Sequence, residues 1–421
     1  MESVLRILKK IIPARLFETL QPAYHYTLAF LGALRYGFPS RKLVVIAVTG
    51  TKGKSSVVEI VNALFEGAGY QTACASTIRF KVADESEPNL FKMTVPGRFF
   101  MQHFLRRAVD AGCQYAIVEM TSEGARQFRH SFIQFNTLIF TNLTPEHIES
   151  HGSFEAYKAA KLMLRDALQE SPKPEKRIIA NRDDEHGADF LDVPSAEQLT
   201  YGIKDAEPYA TTERGVLITF HGTSIHSPLV GVFNIYNLLA AATCAYSYGI
   251  SKEQIKATLE KFSLILGRAE KVDAGQKFNV VVDYAHTPES LTAIYEAFLG
   301  RKICVLGNTG GGRDRWKRPT MGGIADHYCD HIILTDEDPY DEDPRAILDE
   351  MAEGITAHTP EIILDRREAI ARAIRLAEPK DTVLITGKGT DPYIMGPNGS
   401  RQEWSDARVA HQELIKLLDK S

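Results

Sequence analysis

The spacing of apolar residues between positions 43 and 64 changes once, at a pair of glycines. Before the glycines, residues 43–48 form an uninterrupted apolar run rich in β-branched side chains, which predicts a strand buried on both faces. After them, helical spacing predicts an amphipathic helix from the apolar residues Val57, Ile60, Val61 and Leu64. The pattern therefore predicts a strand, a tight loop and a helix in that order.

The loop between this strand and helix carries residues suited to a nucleotide triphosphate. Its glycines let backbone N–H groups converge on a phosphate, while Lys54 can reach the β/γ oxygens and the Ser55 hydroxyl can ligate Mg²⁺. The general phosphate-loop pattern has another glycine five residues before Gly53, where this chain has Val48. We predict a shortened ATP-binding loop rather than an ordinary turn, formed by Gly50, Thr51, Lys52, Gly53, Lys54, Ser55 and Ser56.

Strand and helix patterns alternate through most of the chain, and this predicts an α/β fold. We expect a P-loop ATPase central domain with a parallel sheet, followed by a C-terminal Rossmann-like, doubly wound domain. The pattern changes around Leu266-Gly-Arg268, so the predicted divisions are a short helical segment at 1–41, a central ATP-binding domain at 42–266 and a C-terminal domain at 267–421.

Composition excludes several classes of protein. The chain has 421 residues, of which 44% are hydrophobic and 24% charged, as is usual for a soluble globular protein. Its net charge of −5 argues against nucleic-acid binding, so we expect small-molecule partners. The five cysteines stand singly with no C-x-x-C pair, which predicts buried, reduced thiols in a cytoplasmic protein.

The segment at 5–38 mixes basic residues with apolar and aromatic ones. Its apolar stretch is shorter than the roughly 20 residues that a membrane-spanning helix needs, and no signal-peptide cleavage site follows it. We expect amphipathic helices packed on the next domain, and the alternative is an interfacial membrane anchor, as in a membrane-associated interaction protein.

Polar residues stand at the ends of two further predicted strands. Glu119 follows the strand at 115–118, and His147 lies shortly after the strand at 137–140. Because the carboxyl ends of parallel strands meet at one edge of a sheet, both side chains are expected near Ser55. We therefore predict a Mg²⁺ site made by Ser55, Glu119 and His147 rather than two unrelated polar loops.

The order of the motifs resembles that of the Mur ligases, ATP-dependent amide-forming enzymes of peptidoglycan precursor synthesis. The matching segments are Gly50 to Ser56, Glu119-Met-Thr-Ser122, Phe140 to His147 and Tyr157-Lys-Ala-Ala-Lys161. Likeness is greatest to the members that add the third, diamino acid residue to UDP-N-acetylmuramoyl-L-Ala-D-Glu. The resemblance implies that Lys54 binds phosphate, that Ser55, Glu119 and His147 hold Mg²⁺, and that Lys161 is carbamylated.

The resemblance also implies further site residues in both domains. Asn234 and Asn237, which alone would indicate a helix cap, are expected beside the nucleotide, and Arg268, Asp283 and His286 are expected to reach it on domain closure. The C-terminal domain is expected to bind the amino acid. Expected substrate residues are Thr94, Thr121, Ser122, Arg313, Asp338, Pro339, Tyr340, Gly387 and Asp391.

Two departures from the family pattern concern substrate recognition. About 40 residues stand where family members have a uridine-nucleotide domain of roughly a hundred residues. The family's Asp-Asn-Pro-Arg motif reads Glu337-Asp338-Pro339-Tyr340, and the arginine that would hold the distal carboxylate of diaminopimelate is replaced. Because acidic residues surround Tyr340, we expect lysine or ornithine to be preferred.

The predicted function is therefore an ATP-dependent amide ligase that adds an amino acid through an acyl phosphate to a UDP-MurNAc-peptide or similar carboxylate. One alternative is a Mur-type ligase for a substrate without UDP, such as a cyanophycin-, folate- or polyglutamate-like peptide. A second is a non-catalytic P-loop binding protein, which explains only residues 42–64 and not Glu119, His147 and Lys161.

Overall fold

The computed structural model describes residues 14–146, 151–312 and 315–419. Two compact units can be distinguished. The first contains the described residues within Met1–Glu146, Ser153–Tyr201 and Thr243–Tyr248, and the second those within His147–Gly152, Gly202–Ala242 and Gly249–Ser421. This division does not coincide with the boundary expected near residue 266, and the three-part domain division stays a prediction.

The first unit is built on an eight-stranded sheet. Its strands are β1 (Val44–Thr49), β2 (Thr72–Ala75), β3 (Arg79–Val82), β4 (Glu85–Pro88), β5 (Tyr115–Glu119), β6 (Thr137–Phe140), β7 (Arg177–Asn181) and β8 (Glu197–Tyr201). Its described helices are α1 (Ala14–Arg35), α2 (Lys54–Gly67), α3 (Arg98–Asp110), α4 (Ser122–Arg126), α5 (Phe154–Gln169) and α6 (Gly187–Leu191).

The strand order in this sheet is β4-β3-β2-β5-β1-β6-β7-β8. Six neighbouring strands run parallel to one another: β2, β5, β1, β6, β7 and β8. Strands β3 and β4 extend the β2 edge of the sheet in antiparallel fashion. Strand β1 lies between β5 and β6, and Val45 to Val48 are fully buried, as expected for a strand covered on both faces. The carboxyl ends of β1, β5 and β6 consequently meet at one edge of the sheet.

The N-terminal helix α1 packs on α3. A Cβ built at Gly32 would lie 3.5 Å from the Cα of Phe99, so the two helices approach closely at a residue without a side chain. This contact agrees with the expectation that the N-terminal segment packs on the next domain. Within the described residues, no helix is long and apolar enough to cross a bilayer.

The second unit contains a six-stranded sheet of order β12-β13-β17-β14-β15-β16, in which only β12 is antiparallel. A three-stranded antiparallel sheet precedes it, and β18 and β19 form an antiparallel pair. The strands are β9 (Ala210–Thr212), β10 (Gly215–Phe220), β11 (Thr223–Ser227), β12 (Glu270–Lys271), β13 (Asn279–Asp283), β14 (Lys302–Leu306), β15 (His331–Leu334), β16 (Glu361–Ile362), β17 (Thr382–Thr386), β18 (Tyr393–Met395) and β19 (Arg401–Glu403).

Helices cover both faces of the six-stranded sheet. Neighbouring residues of β13 show this, since Val281 packs into one hydrophobic cluster while Val280 and Val282 pack into another. A sheet with two buried faces is doubly wound, and the predicted α/β fold class is confirmed. The described α-helices after residue 201 are α7 (Val232–Ser247), whose residues from Thr243 onward belong to the first unit, α8 (Lys252–Leu259), α9 (Pro288–Glu296), α10 (Lys317–Tyr328), α11 (Pro344–Ala352), α12 (Arg366–Leu376) and α13 (Asp406–Leu418).

The expectation of five reduced thiols is wrong for two of them. Cys304 in β14 and Cys329 at the end of α10 form a disulfide, with their Cα atoms 6.1 Å apart. They are separated by 25 residues, and only the packing of α10 against the sheet brings them together. Cys74, Cys113 and Cys244 are free and buried, as expected.

Candidate functional site

The predicted phosphate loop joins β1 to α2. Strand β1 ends at Thr49, and Gly53 caps the N-terminus of α2 with a φ of 80°. Gly50 has a φ of +144°, and a Cβ there would lie 1.9 Å from the Thr141 hydroxyl oxygen, so the position requires glycine. Val48 lies inside β1 and pairs with Glu119, so the loop begins after it. The missing glycine of the general pattern therefore reflects a shorter loop.

The segment after β6 supports this loop. The backbone N–H of Thr51 donates to the Asn142 carbonyl, and that of Lys52 to the Asn142 Oδ1, each at 2.8 Å. The Thr141 hydroxyl donates to the Lys52 carbonyl at 2.7 Å. The loop is held from the neighbouring strand, while the first N–H groups of α2 have no acceptor within the helix.

Ser55 and Glu119 meet at the carboxyl edge of the sheet. The Ser55 hydroxyl donates to Glu119 Oε2 at 2.8 Å, and the backbone N–H of Thr77 donates to the same oxygen at 2.9 Å. The Thr77 hydroxyl lies 3.2 Å from both carboxylate oxygens. Glu119 is only 3% exposed, so these donors stabilise a buried carboxylate. Hydroxyl and carboxylate oxygens are hard ligands, and the pair fits Mg²⁺. His147, the third predicted ligand, lies outside the described residues.

Basic side chains surround the loop. Lys161 on α5 is 1% exposed and donates from Nζ to the Gly50 carbonyl at 2.6 Å. Burial, reinforced by the neighbouring Lys54 ammonium, holds the pKa of Lys161 well below its usual range. The Lys54 Nζ donates to the Thr51 carbonyl at 2.8 Å, and Lys52 forms an ion pair of 3.3 Å with Glu146. Burial and the neighbouring Lys54 charge therefore both favour the uncharged amine of Lys161 over its ammonium form.

The predicted substrate residues of the first unit adjoin this centre. The Thr94 hydroxyl lies 2.8 Å from that of Thr77, which connects it to Glu119. Thr121 caps α4 by accepting from the Gly124 N–H at 3.1 Å, and Ser122 is 4% exposed. Thr77 was not predicted, because a single threonine between two short strands has no distinctive sequence pattern.

A cationic cluster that the sequence did not reveal lies beside Thr94. It consists of His25 on α1, Arg98 at the start of α3, and Arg129 after α4. The described residues offer neither arginine a carboxylate within ion-pair distance. Arg98 Nη2, Arg129 Nε and both ring nitrogens of His25 are buried without a hydrogen-bond partner there. We call these three residues the cationic cluster.

The pKa values of the cationic cluster are all lowered. Burial, followed by repulsion from Arg129, lowers the pKa of Arg98 to about 10, and burial lowers that of His25 to about 4. The arginines are held in place by Gln127, which accepts from Arg98 Nε at 2.7 Å through its carbonyl and from Arg129 Nη2 at 2.7 Å through Oε1. Two half-buried guanidinium groups, each with a buried N–H donor that has no described partner, form a site suited to an anion.

In the second unit, the expected nucleotide residues form two groups. The Asn237 amide donates to Asn234 Oδ1 at 3.0 Å near the start of α7, and both side chains are buried. Arg268 lies 4.3 Å from the ring centroid of Tyr284, and the Tyr284 carbonyl is 2.7 Å from His286 Nδ1.

Asp283 belongs to the second of these groups. Its carboxylate accepts from the backbone N–H groups of Ala269 and Ala285 at 2.6 and 2.7 Å. Burial raises the pKa of this carboxyl, and the nearby Arg268 opposes that shift. The predicted residues Arg268, Asp283 and His286 are thus brought together around Tyr284.

The loops after β15 and β17 bring together the remaining predicted substrate residues. The buried Lys388 ammonium contacts Asp338 Oδ1 at 2.9 Å and Asp391 Oδ2 at 3.0 Å. Pro339 and Tyr340 follow Asp338, and the Tyr340 ring lies 3.3 Å from a Cβ built at Gly311. Arg313 lies outside the described residues. Lys388 was not predicted as a site residue, because no sequence pattern shows that it meets Asp338.

Glu337 is the second unpredicted residue of these loops. Its Oε1 accepts from the Thr309 hydroxyl at 2.8 Å, whereas Oε2 is buried without a hydrogen-bond partner among the described residues. A Cβ at Gly387 would lie 2.3 Å from that oxygen, so only glycine allows the approach. Burial, followed by repulsion from Asp338 and Glu337, raises the pKa of Asp336 to about 6.

Comparison with known proteins shows which family this chain belongs to. The model of the Mur ligase middle domain matches residues 48–245, and that of the Mur ligase, glutamate ligase domain, matches residues 267–389. A UDP-N-acetylmuramoyl-L-alanyl-D-glutamate–2,6-diaminopimelate ligase from Syntrophomonas wolfei subsp. wolfei is 36% identical over 411 residues, covering 93% of this chain and 82% of its own length. The chain belongs to the Mur ligase family.

Solved structures agree with this membership. The solved structure of a UDP-N-acetylmuramoyl-L-alanyl-D-glutamate–2,6-diaminopimelate ligase superimposes on this Mur ligase with a TM-score of 0.62 at 28% identity. The superposition covers 89% of this chain and 79% of the ligase chain. Mycobacterium tuberculosis folylpolyglutamate synthase complexed with ADP superimposes with a TM-score of 0.71 at 16% identity, covering 87% of this chain and 92% of the synthase chain. At this identity the likeness shows a shared fold only. The predicted family and the predicted activity of an ATP-dependent ligase are confirmed.

Proposed function

We propose that this Mur ligase adds an amino acid, preferably one with a distal ammonium, to a UDP-MurNAc-dipeptide-like carboxylate. The observation that carries the proposal is the meeting of Ser55, Glu119 and Lys161 around a phosphate loop that begins at Gly50. A simple nucleotide-binding protein needs the loop but has no need of the buried Glu119 and Lys161. The names of the relatives, together with the cationic cluster, support the choice of an anionic acceptor.

The phosphate loop would bind ATP through Lys54 and the first N–H groups of α2. Ser55 and Glu119, with His147 as the predicted third ligand, would hold Mg²⁺, which supplies charge neutralisation on the transferring phosphoryl group. Asn234, Asn237, Arg268, Asp283 and His286 are the proposed nucleotide residues of the second unit.

Lys161 would act as a carbamate. Its uncharged amine can attack CO₂, forming an N–C bond and releasing one proton, and the product carries a negative charge in place of the ammonium. The lowered pKa of Lys161 supports this reaction, because only an uncharged amine has the electron pair to attack. A carbamate beside Ser55 and Glu119 would add anionic oxygen to the proposed Mg²⁺ site.

The cationic cluster would hold an acidic group of the acceptor. Arg98 and Arg129 present buried N–H donors that no described carboxylate uses, and Thr94 lies four residues before Arg98. Charge-assisted hydrogen bonds to a carboxylate or phosphate would satisfy these donors. Thr94, Thr121 and Ser122 would complete the acceptor site.

The incoming amino acid would bind at the loops after β15 and β17. Within that acidic region Lys388 neutralises part of the charge of Asp338 and Asp391, whereas Glu337 Oε2 accepts no hydrogen bond from the described residues and interacts with Arg366 through charge alone. A buried carboxylate is stabilised by a cation, so Glu337 favours an amino acid with a distal ammonium. Tyr340 cannot form the bidentate pair with which an arginine binds a distal carboxylate.

The chemistry proceeds in two steps. A carboxylate oxygen of the acceptor takes the γ-phosphoryl group of ATP, which yields an acyl phosphate and ADP. The amino group of the incoming amino acid then attacks the acyl carbon and loses a proton, and the tetrahedral intermediate expels inorganic phosphate to leave an amide. Activation is needed because a carboxylate is a poor electrophile, and no side chain serves as covalent nucleophile.

Phosphate release from ATP tests this proposal directly. We expect release to require both UDP-MurNAc-dipeptide and an amino acid, and to be abolished in Lys54→Ala while Lys42→Ala, an exposed lysine just before β1, keeps wild-type turnover. Circular dichroism checks the fold of both variants. Turnover with a folate- or polyglutamate-like peptide but not with UDP-MurNAc-dipeptide would show that the acceptor is a peptide without UDP. Hydrolysis of ATP in the absence of an amino acid would contradict the ligase proposal.

A further inference from the structure

Helix α1 exposes an unusually apolar surface. Between Ala23 and Leu34 its non-aromatic polar residues are His25 and Thr27, and the Thr27 hydroxyl donates to the Ala23 carbonyl within the helix at 2.8 Å. One side of the helix packs on α3 at Gly32, and Ala29 and Ala33 on the same side are buried. The other side carries five large side chains with exposed fractions of 37% to 57%: Tyr24, Tyr26, Phe30, Leu31 and Leu34. We call these five residues the α1 face.

A helix that is apolar on every side is normally buried on every side. The α1 face is instead exposed, although Tyr26 and Phe30 contact Phe132 at ring-centroid distances of 5.1 and 5.5 Å. Phe99, next to Gly32, adds a further apolar side chain that is 38% exposed. A contiguous apolar surface of this kind indicates an interaction site.

Charge identifies the partner. Residues 1–35 contain five basic residues (Arg6, Lys9, Lys10, Arg15, Arg35) and two acidic ones (Glu2, Glu18), so this segment carries +3, whereas the whole chain carries −5 and the remainder therefore −8. A second copy of the chain docked through the same face would bring two positive segments together. An anionic surface complements the segment and is repelled by the remainder, which would orient the protein.

We propose that the α1 face docks this protein on an anionic phospholipid surface, with α1 lying in the interface. The α1 face ends next to the exposed Arg35. Apolar side chains in a sequence segment with an excess of basic residues are the pattern of helices that bind in the plane of a bilayer, and tyrosine rings suit the boundary between headgroups and acyl chains. His25, on the opposite side of α1, is part of the cationic cluster and stays in the protein. The docking does not rest on the proposed ligase reaction.

Vesicle flotation with the full chain tests the proposal. We expect binding to vesicles of phosphatidylglycerol and phosphatidylcholine at low salt, and at least about a tenfold loss of affinity in the double variant Leu31→Ser, Leu34→Ser. The matched control is Leu264→Ser, Leu299→Ser, which removes two leucines that are 48% and 71% exposed in the second unit. ATP turnover without vesicles should be equal in all three proteins and shows that each is folded.

Salt and lipid composition test the charge argument separately. Raising the ionic strength, or replacing phosphatidylglycerol by phosphatidylcholine, should weaken wild-type binding by about fivefold for each basic residue that contacts the surface. Binding that is equal in the α1-face variant, or equal on uncharged vesicles, would overturn the proposal. The proposal would also be overturned if the wild-type protein bound none of the vesicles. The same holds if sedimentation showed a wild-type dimer that the double variant Leu31→Ser, Leu34→Ser converts to monomers.

Discussion

The Ser55 hydroxyl donates a hydrogen bond of 2.8 Å to Glu119 Oε2 across 64 positions of the chain. Strands β1 and β5 are neighbours in the sheet, and Val48 pairs with Glu119, so the hydroxyl at the start of α2 and the carboxylate at the end of β5 come together. The two side chains form one proposed metal site, in which three donors already contact the Glu119 carboxylate: the Ser55 hydroxyl, the Thr77 N–H and the Thr77 hydroxyl.

Removing either ligand should abolish Mg²⁺-dependent activity without unfolding the protein. We expect Ser55→Ala and Glu119→Gln each to lower ATP turnover by about 100-fold or more, because charge on the transferring phosphoryl would no longer be neutralised. Steady-state phosphate release at saturating Mg²⁺ is the measurement. Glu123→Gln, an exposed carboxylate nearby on α4, is the control, and near-wild-type turnover in Glu119→Gln would contradict the assignment.

Lys161 should matter through the charge of its carbamate. Lys161→Ala should be inactive, and short-chain carboxylates should partly restore activity by replacing the lost anion. Lys158→Ala, which removes a lysine on the same helix that pairs with Asp189, should remain active. An unmodified Lys161 amine in a fully active enzyme, seen by mass spectrometry, would exclude the carbamate.

The lowered pKa of Lys161 also predicts a pH dependence of stability. Between its lowered folded pKa and its usual unfolded value near 10.5, the unfolded chain binds one more proton, so stability increases with pH. In CO₂-free buffer, Lys161→Met should therefore be more stable than wild type at neutral pH, and the difference should shrink as the pH approaches 10.5. Thermal unfolding followed across this range measures it, and a constant or widening difference would contradict the shift.

Acceptor binding should depend on the cationic cluster more than on uridine. Free UDP lacks the dipeptide carboxylate that the cluster is proposed to hold, so we expect it to bind weakly. Arg98→Ala or Arg129→Ala should weaken binding of UDP-MurNAc-dipeptide by about 10- to 100-fold, the loss of one charge-assisted contact. Calorimetry measures both, with the exposed Arg126→Ala as control. Sub-micromolar affinity for UDP alone would show that another part of the chain binds uridine.

Amino acid choice should follow Glu337. Lysine or ornithine should be preferred over meso-diaminopimelate by about 10- to 100-fold, because Glu337 attracts a distal ammonium and Tyr340 offers no bidentate partner to a carboxylate. Glu337→Gln should reduce this preference, whereas Glu353→Gln at an exposed position should not. Competition between the two amino acids at equal concentration decides the matter. A clear preference for diaminopimelate would indicate a clamp from elsewhere, with Arg313 as the first candidate.

The sequence by itself determined the elements and the order of the chemistry. The continuous apolar run of β1 and the helical spacing after it predict the strand and helix that enclose the phosphate loop, because both periodicities are local properties of the backbone. The placement of Glu119 at a strand end was predictable for the same reason. The alternation of strands and helices in the last third of the chain likewise predicted the doubly wound sheet.

The tertiary structure alone decided which distant side chains meet. His25 and Arg98 stand on two helices and Arg129 in the turn after α4, and no spacing in the sequence shows that they lie together. The disulfide between Cys304 and Cys329 and the neutralisation of Asp338 by Lys388 have the same origin, since contacts between elements depend on how the elements pack. The exposure of the α1 face is a further case, because a sequence that is apolar on every side of a helix does not show which side the fold leaves uncovered.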